Sequence, residues 1–308
     1  MERNLNFDNI INRRNTDCLK FDFAERRGMP KDVLPLWVAD MDFQTSSYIQ
    51  DALEERVKHG IFGYSETTKP YFEAVSGWMK THHDWEIKEN WIIKTPGIVF
   101  ALAMAVKAYT EPGESVLMLQ PVYYPFREVI EDNGRKLIGS PLKLEDGHYT
   151  IDFEDMEKKI VKNRIHAAVF CSPHNPCGRV WERWEIEKAM ELYKKYDVFV
   201  ISDEIWSDLI LEGHKHIPTQ SVSEDARNRT IAMYAPSKTF NLAGLVGSYH
   251  IIYNTWLRER VLKESSLSHY NAMNVLSMHA LVGAYKPEGY EWLDELRQVL
   301  TGNVEFAC

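Results

Sequence analysis

What most constrains this chain is a rhythm in which short apolar runs, each closed by a polar turn, alternate with stretches of helical periodicity. The runs are 115–120 (SVLMLQ), 166–171 (HAAVFC), 198–202 (VFVIS), 230–234 (TIAMY) and 248–253 (SYHIIY), and helical patterns lie at 99–109, 124–132 and 184–196. A strand that is apolar at nearly every position is buried on both faces, and helices between such strands supply the cover. The pattern predicts an α/β protein with a mostly parallel buried sheet. In such sheets ligands bind beyond the carboxyl ends of the strands, so the residues just after each run are the ones to read for chemistry.

The 308 residues suffice for one large domain or two ordinary ones. Hydrophobic residues at 44% and charged residues at 26% exclude a disordered chain, a collagen-like fibre and a disulfide miniprotein. The net charge of −9 gives no global attraction to nucleic acid or to an anionic membrane. Cys18, Cys171, Cys177 and Cys308 form neither a CxxC pair nor a zinc spacing, which suits a reducing cytoplasm. The N-terminal MERNLNFDNIINRR lacks the apolar core of a signal peptide, and no stretch reaches the ~18 apolar residues of a spanning helix, so a soluble intracellular protein is expected. The first 45 residues, with Pro30, Pro35 and Glu25-Arg26-Arg27, break the α/β rhythm and read as an extended arm or part of a smaller domain. A new helical pattern begins near Tyr290, and the chain reads as stopping within a domain.

Four strand-end features carry possible chemistry. Thr95-Pro96-Gly97 opens a helix whose free N–H groups can hold an anion, although taken alone it reads first as an ordinary N-cap made by Thr95. Asp203 and Glu204 close an apolar run, where a carboxylate is costly unless paired: it either holds a proton on a heteroaromatic nitrogen or caps a helix. Lys238 lies between a strand end and the apolar NLAGL, where desolvation would lower its pKa and suit it to Schiff-base chemistry; a solvated loop lysine is the competing reading. Asn175 sits in a rigid turn with Pro173, Pro176 and Gly178, as a ligand donor or simply a turn residue. His174 and Cys177 lack a second metal-ligating pair, while His82-His83 and His214-x-His216 read as solvated. No GxSxG, HExxH, Walker A or GxGxxG is present. A phosphate-type helix start, an Asn, an Asp and a Lys after strands of one sheet match what pyridoxal 5′-phosphate (PLP) requires.

The motifs PLWVADMDF (35–43), FGY (62–64), TPGIVFAL (95–102), PVYYPF (121–126), HNPCGR (174–179), SDEIWSDL (202–209) and APSKTFNLAGL (235–245) extend this reading. Together they resemble the class I/II PLP-dependent aminotransferases of fold type I, in their cystathionine β-lyase-like (C–S β-lyase) branch, from about residue 5 to the end of the chain. The resemblance implies a mostly parallel seven-stranded sheet sandwiched by helices, plus a smaller α+β domain. Residues 1–45 would form the arm and part of that small domain, 46–286 the large PLP-binding domain, and 287–308 the start of the C-terminal small domain.

By the same resemblance, Lys238 is the Schiff-base lysine and the base for the substrate's Cα proton. Asp203 partners the pyridinium nitrogen and Asn175 donates to the ring's 3-oxygen. Tyr123 stacks on one ring face and Ile205 packs on the other. Gly97, Ile98 and Val99 cradle the phosphate with Ser237, and Tyr64 crosses to the neighbouring subunit, which implies a homodimer. Trp206 stands where the family usually has His or Tyr, and Ala235 where it often has Ser. The family's substrate-carboxylate arginine falls beyond residue 308. The implied activity is α,β-elimination from cystathionine- or cysteine-type amino acids, giving pyruvate, ammonia and a thiol. The alternatives are transamination, a regulatory role in contact with a transcription factor, or an inactive relic or truncated product. No nucleic acid or membrane partner is expected, and the expected compartment is the cytoplasm.

Overall fold

All five apolar runs become strands of one sheet. The computed structural model describes residues 7–269 and 272–308. In chain order its elements begin with α1 (Leu19–Asp22), α2 (Ser47–His59), α3 (Lys69–His83), β1 (Ile92–Thr95), α4 (Ile98–Tyr109), β2 (Ser115–Gln120), α5 (Pro125–Asp132) and β3 (Lys136–Pro141). A hairpin, β4 (Lys143–Glu145) and β5 (His148–Thr150), precedes α6 (Phe153–Asn163), β6 (Ala167–Cys171), α7 (Arg183–Lys195), β7 (Phe199–Asp203) and α8 (Glu224–Arg229). The chain continues through β8 (Thr230–Tyr234), α9 (Pro236–Thr239), β9 (Ser248–Ile251), α10 (Thr255–Leu267), α11 (Val275–Ala284) and α12 (Pro287–Ala307).

Seven strands lie in the order β1-β9-β8-β7-β6-β2-β3. The pairings from β8 through β3 are parallel, whereas β9 runs antiparallel to both β1 and β8. Every residue of β6 and β8 is buried, because helices cover both faces. Along β2, Val116 and Met118 enter the core beneath α4, α5 and α10, while Leu117 and Leu119 enter the core beneath α6 and α7. Ala167, Val169 and Cys171 of β6 divide from Ala168 and Phe170 in the same way. That alternation is the period of two expected of a pleated strand.

The run pattern missed two strands of this sheet, β1 and β3, and the separate β4-β5 hairpin. β3 reads KLIGSP, and its Gly and Pro are tolerated because it lies at the edge of the sheet. β1 is a four-residue edge strand too short to declare itself by periodicity. A third core gathers Tyr71, Trp78, Tyr249 and Phe240 with Trp292 and Leu296 of α12, which starts at Pro287, three residues before the helical pattern suggested. The N-terminal arm closes on this core. Asn241 accepts the Met41 N–H at 3.0 Å and donates to the carbonyls of Met41 and Phe43, and the Thr45 hydroxyl donates to the Phe240 carbonyl at 2.7 Å. Among the described residues no helix is long and apolar enough to cross a membrane.

Candidate active site

A cavity of about 620 Å³ opens at the carboxyl ends of β6, β7 and β8, as the parallel sheet requires. Asp203 is the last residue of β7; Lys238 lies on α9 directly after β8; Asn175 lies in the turn after β6; Tyr123 lies in the turn after β2. Gly97, Ile98 and Val99 bring the start of α4 to the same wall, and Ile205, Trp206, Ser237 and Ala235 complete it. The site residues singled out in the sequence thus share one cavity, except Tyr64. That tyrosine is fully exposed between α2 and α3 and does not line this chain's own cavity.

Gly97, rather than Thr95, is the N-cap of α4. Thr95 is buried and its hydroxyl pairs with Ser248 Oγ at 2.7 Å and with His250 at 3.2 Å, which corrects the capping role expected for it. The Gly97 N–H donates to Ser248 Oγ at 3.1 Å. Its φ of +105° is a region side-chain-bearing residues avoid, and an added Cβ would meet Val246 Cγ1 at 3.3 Å. Gly97→Ala is therefore expected to lower stability by about 1–3 kcal/mol. Gly77→Ala, at an open and unstrained helical position, should be neutral or raise stability by about 0.5–1 kcal/mol. Denaturant unfolding of the two variants reads the contrast, and equal responses would refute the strain at Gly97.

The electrostatics set a carboxyl against an amine. Asp203 is buried, one of its oxygens accepts the Ile205 N–H at 3.0 Å, and its carbonyl accepts the Ser172 N–H at 2.9 Å. Burial pushes its carboxyl up to about 7, with Glu204 adding to the rise and the Ile205 N–H and Lys238 opposing it. Burial lowers the Lys238 amine below its ordinary value, partly offset by Asp40 and then Asp203. The Lys238 Nζ stands 5.4 Å from the centroid of the Trp206 ring, within cation–π range. Desolvation, with smaller contributions from Tyr124, Asp203 and Glu128, raises the Tyr123 phenol.

Beneath this layer lies a polar network that the sequence did not reveal. Glu204 is buried and accepts His216 at 2.7 Å, the Ser202 hydroxyl at 2.9 Å, the Thr219 N–H at 3.1 Å and the Tyr234 hydroxyl. Burial raises its carboxyl, and these donors more than offset the rise, so it remains a carboxylate. Burial also lowers His216, which donates as a neutral imidazole. Asp208 accepts Trp78 Nε1 at 3.0 Å, His83 at 2.9 Å and the hydroxyl of Thr239, the neighbour of Lys238, at 2.7 Å. His83 and His216 were expected in solvent, and the structure corrects both to buried, with their rings 5.3 Å apart. His82 lies between Trp78, tilted against it, and Tyr290, stacked on it, with ring centroids 3.9 Å from each, and only His214 of these four is exposed. The one available signal was local: Asp203, Glu204 and Asp208 crowd one strand end, and buried carboxylates demand donors. His174 Nε2 and Cys177 Sγ both turn toward the Pro121 carbonyl. Among the described residues no group of three or more His, Cys, Asp or Glu could hold a metal ion.

These walls suit a planar, phosphorylated cofactor with a basic ring nitrogen. A buried carboxyl raised by desolvation gains from a cationic partner, a glycine leaves room where a Cβ would crowd, and an amine of lowered pKa lies in the same cavity. A mostly parallel sheet with a lysine of lowered pKa and a buried aspartate at its carboxyl edge is the layout of a cofactor-dependent α/β enzyme. More specifically, the chain belongs to the aminotransferase class I and II family, which it matches over residues 31–307.

Among its relatives is cystathionine beta-lyase PatB of Bacillus subtilis, 42% identical over 303 residues that cover 98% of this chain and 78% of that protein. The fold is similar to that of a PLP-bound putative aminotransferase from Clostridium difficile, with a TM-score of 0.95 and 37% identity over 98% of this chain and 78% of that one. It is also similar to a PLP-bound C–S lyase from Staphylococcus hominis, with a TM-score of 0.92 and 33% identity over 99% of this chain and 76% of that one.

Proposed function

We propose that the protein is a PLP-dependent C–S β-lyase that splits cystathionine- or cysteine-type amino acids into a thiol, pyruvate and ammonia. The observation that carries the reading is the convergence of Lys238, Asp203 and the amino end of α4 on one cavity, in a chain 42% identical to a cystathionine beta-lyase. When bound, PLP supplies an electron sink that stabilises charge developing at the substrate's Cα.

The chain's own residues do the rest. Lys238, its amine pKa lowered by burial, takes the proton from Cα, and the electron pair released there expels the sulfur from Cβ as the C–S bond breaks. Asp203 would keep the cofactor's ring nitrogen protonated and Asn175 would donate to the ring's 3-oxygen. Tyr123 and Ile205 would hold the two ring faces. Gly97, Ile98 and Val99 would bind the phosphate at the start of α4, where backbone N–H groups and the helix dipole favour an anion, helped by Ser237 from α9. Trp206 walls the cavity and offers an indole N–H as donor only.

Tyr64, fully exposed on its own subunit, completes the site of a second copy, so the working enzyme is a homodimer. The cytoplasm is the proposed compartment, in keeping with four free cysteines. The proposed division is an arm with part of a small domain at 1–45, a PLP-binding domain at 46–286, and the start of a small domain at 287–308. Transamination is the second reading, favoured by the similarity to the putative aminotransferase from Clostridium difficile.

The test is an absorbance spectrum of the purified protein with added PLP, followed by L-cystathionine and a pyruvate assay. A band near about 420 nm that borohydride bleaches, together with pyruvate release, is the expected result. Turnover only in the presence of a keto acid would favour the aminotransferase. Absence of the band would overturn the enzyme reading.

A further inference from the structure

We propose that Asp208 is a positioning residue for Lys238: through the hydroxyl of Thr239 it fixes the short helix α9 that presents the reactive amine. The inference rests on Lys238 being the reactive lysine, and the contacts it uses lie within the chain itself.

α9 is four residues long, Pro236–Thr239, and so short a helix does not hold its own place, because most helical stability comes from tertiary packing. Its backbone closes locally, with the Phe240 N–H on the Pro236 carbonyl and the Leu242 N–H on the Ser237 carbonyl, both at 2.9 Å. Such bonds define a turn but not its orientation against the sheet.

A side chain supplies the orientation. The Thr239 hydroxyl donates to Asp208 Oδ2 at 2.7 Å, and both residues are buried. Oδ1 of the same carboxylate accepts Trp78 Nε1 at 3.0 Å and His83 Nε2 at 2.9 Å, both from α3. The two oxygens are thus divided, one to α3 and one to α9. The carboxylate couples the lysine's helix to a fifteen-residue helix whose Tyr71, Val75, Trp78 and Met79 are set in the core. A charge-assisted hydrogen bond in a buried site is strong and directional, and removing its donor leaves a carboxylate oxygen underserved.

The position of this anchor matters as much as its strength. Asp208 belongs to the stretch that leaves β7 at Asp203, and the same stretch carries Trp206, whose ring centroid lies 5.4 Å from Lys238 Nζ. One segment therefore meets the lysine's amine through Trp206 and its helix through Asp208, while presenting Asp203 to the same cavity. A shift of α9 against this segment would change the spacing of Lys238 from Asp203, the two groups that the proposed chemistry needs in register. Thr45 and Asn241 tie the chain to the arm just beyond the helix, whereas Asp208 acts on the residue next to Lys238.

The experiment compares Thr239→Val, which keeps the shape and removes the donor, with Thr239→Ser, which keeps the hydroxyl. In the cofactor-free chain, backbone hydrogen exchange of the 236–242 peptide should quicken at least about tenfold in Thr239→Val and stay within about twofold of the parent in Thr239→Ser. Exchange in β6 and β7 should be unchanged in both. In the PLP-loaded enzyme, Thr239→Val should lower kcat about tenfold or more with KM within about twofold, because the base is misplaced while substrate binding is kept; Thr239→Ser should restore kcat. Should Thr239→Val fail to fold, Thr239→Ala removes the same donor without setting a methyl group against the carboxylate. Unchanged exchange in folded variants lacking the hydroxyl, faster exchange with kcat unaltered, or a loss confined to KM would each overturn the proposal. A merely structural bond would lower the unfolding temperature and leave kcat unmoved. The exchange measurement needs neither cofactor nor substrate, so its failure is distinguishable from the absence of a PLP band.

Discussion

Replacing Lys238 by alanine should reduce pyruvate release from L-cystathionine by at least about 10⁴-fold, because the proposed chemistry asks one side chain both to engage the cofactor and to move the Cα proton. The same substitution should hardly disturb folding. Lys238 is only partly buried, and the effect of that burial is to disfavour its charge. Its truncation removes a cation–π contact with Trp206 and relieves a desolvated amine, two small effects of opposite sign. The unfolding free energy should therefore change by less than about 1 kcal/mol. Steady-state kinetics and urea unfolding on the same preparation test both halves. Retention of more than about one hundredth of the activity would remove Lys238 from the chemistry.

Asp203→Asn should separate stability from function in the opposite sense. The Asp203 carboxyl is raised to about 7 by burial, against about 3.9 in an unfolded chain. The folded state thus binds this proton more tightly, and the resulting stabilisation is fully present below about pH 4 and lost as pH rises through 7. Above that range the ionised carboxylate costs the cofactor-free chain up to about 4 kcal/mol relative to its protonated form. Asparagine stays neutral and keeps an oxygen for the Ile205 N–H.

The cofactor-free variant should accordingly be more stable than the parent by up to about 4 kcal/mol near pH 8, with the gain fading as pH falls toward 4. The difference between the two proteins isolates Asp203 from other titrating groups, including Glu204 and His216. Activity should fall by about 10³-fold or more, since an amide cannot keep a ring nitrogen protonated. A gain independent of pH, or none at all, would refute the desolvated carboxyl. A gain in stability with loss of activity is the signature of a group strained for function.

The legible part of this fold was the part governed by local pattern. β2 and β8 match their apolar runs residue for residue, and α4 begins one residue before its helical pattern. That these residues would share a cavity was legible for the same reason: Asp203, Lys238 and Asn175 each follow an apolar run, and a parallel sheet brings those ends together. The edge strands escaped because β1 is short and β3 carries the Gly and Pro that an edge tolerates.

Burial of polar groups was not legible. Nothing near His83 in the sequence announces Asp208, 125 positions away, and Trp78 meets the same carboxylate across 130. Likewise Asp40 belongs to a segment that reads as an extended arm or part of a smaller domain, yet Asn241 secures the residue beside it across 200 positions. By itself the sequence determined the α/β class, the positions of the central strands and the residues offered at their ends, because backbone periodicity and side-chain hydrophobicity act over a few residues. Only the tertiary structure decided which carboxylates keep their charge, where the histidines lie and what faces Lys238, because desolvation and hydrogen bonding depend on groups that meet only once the chain has closed on itself.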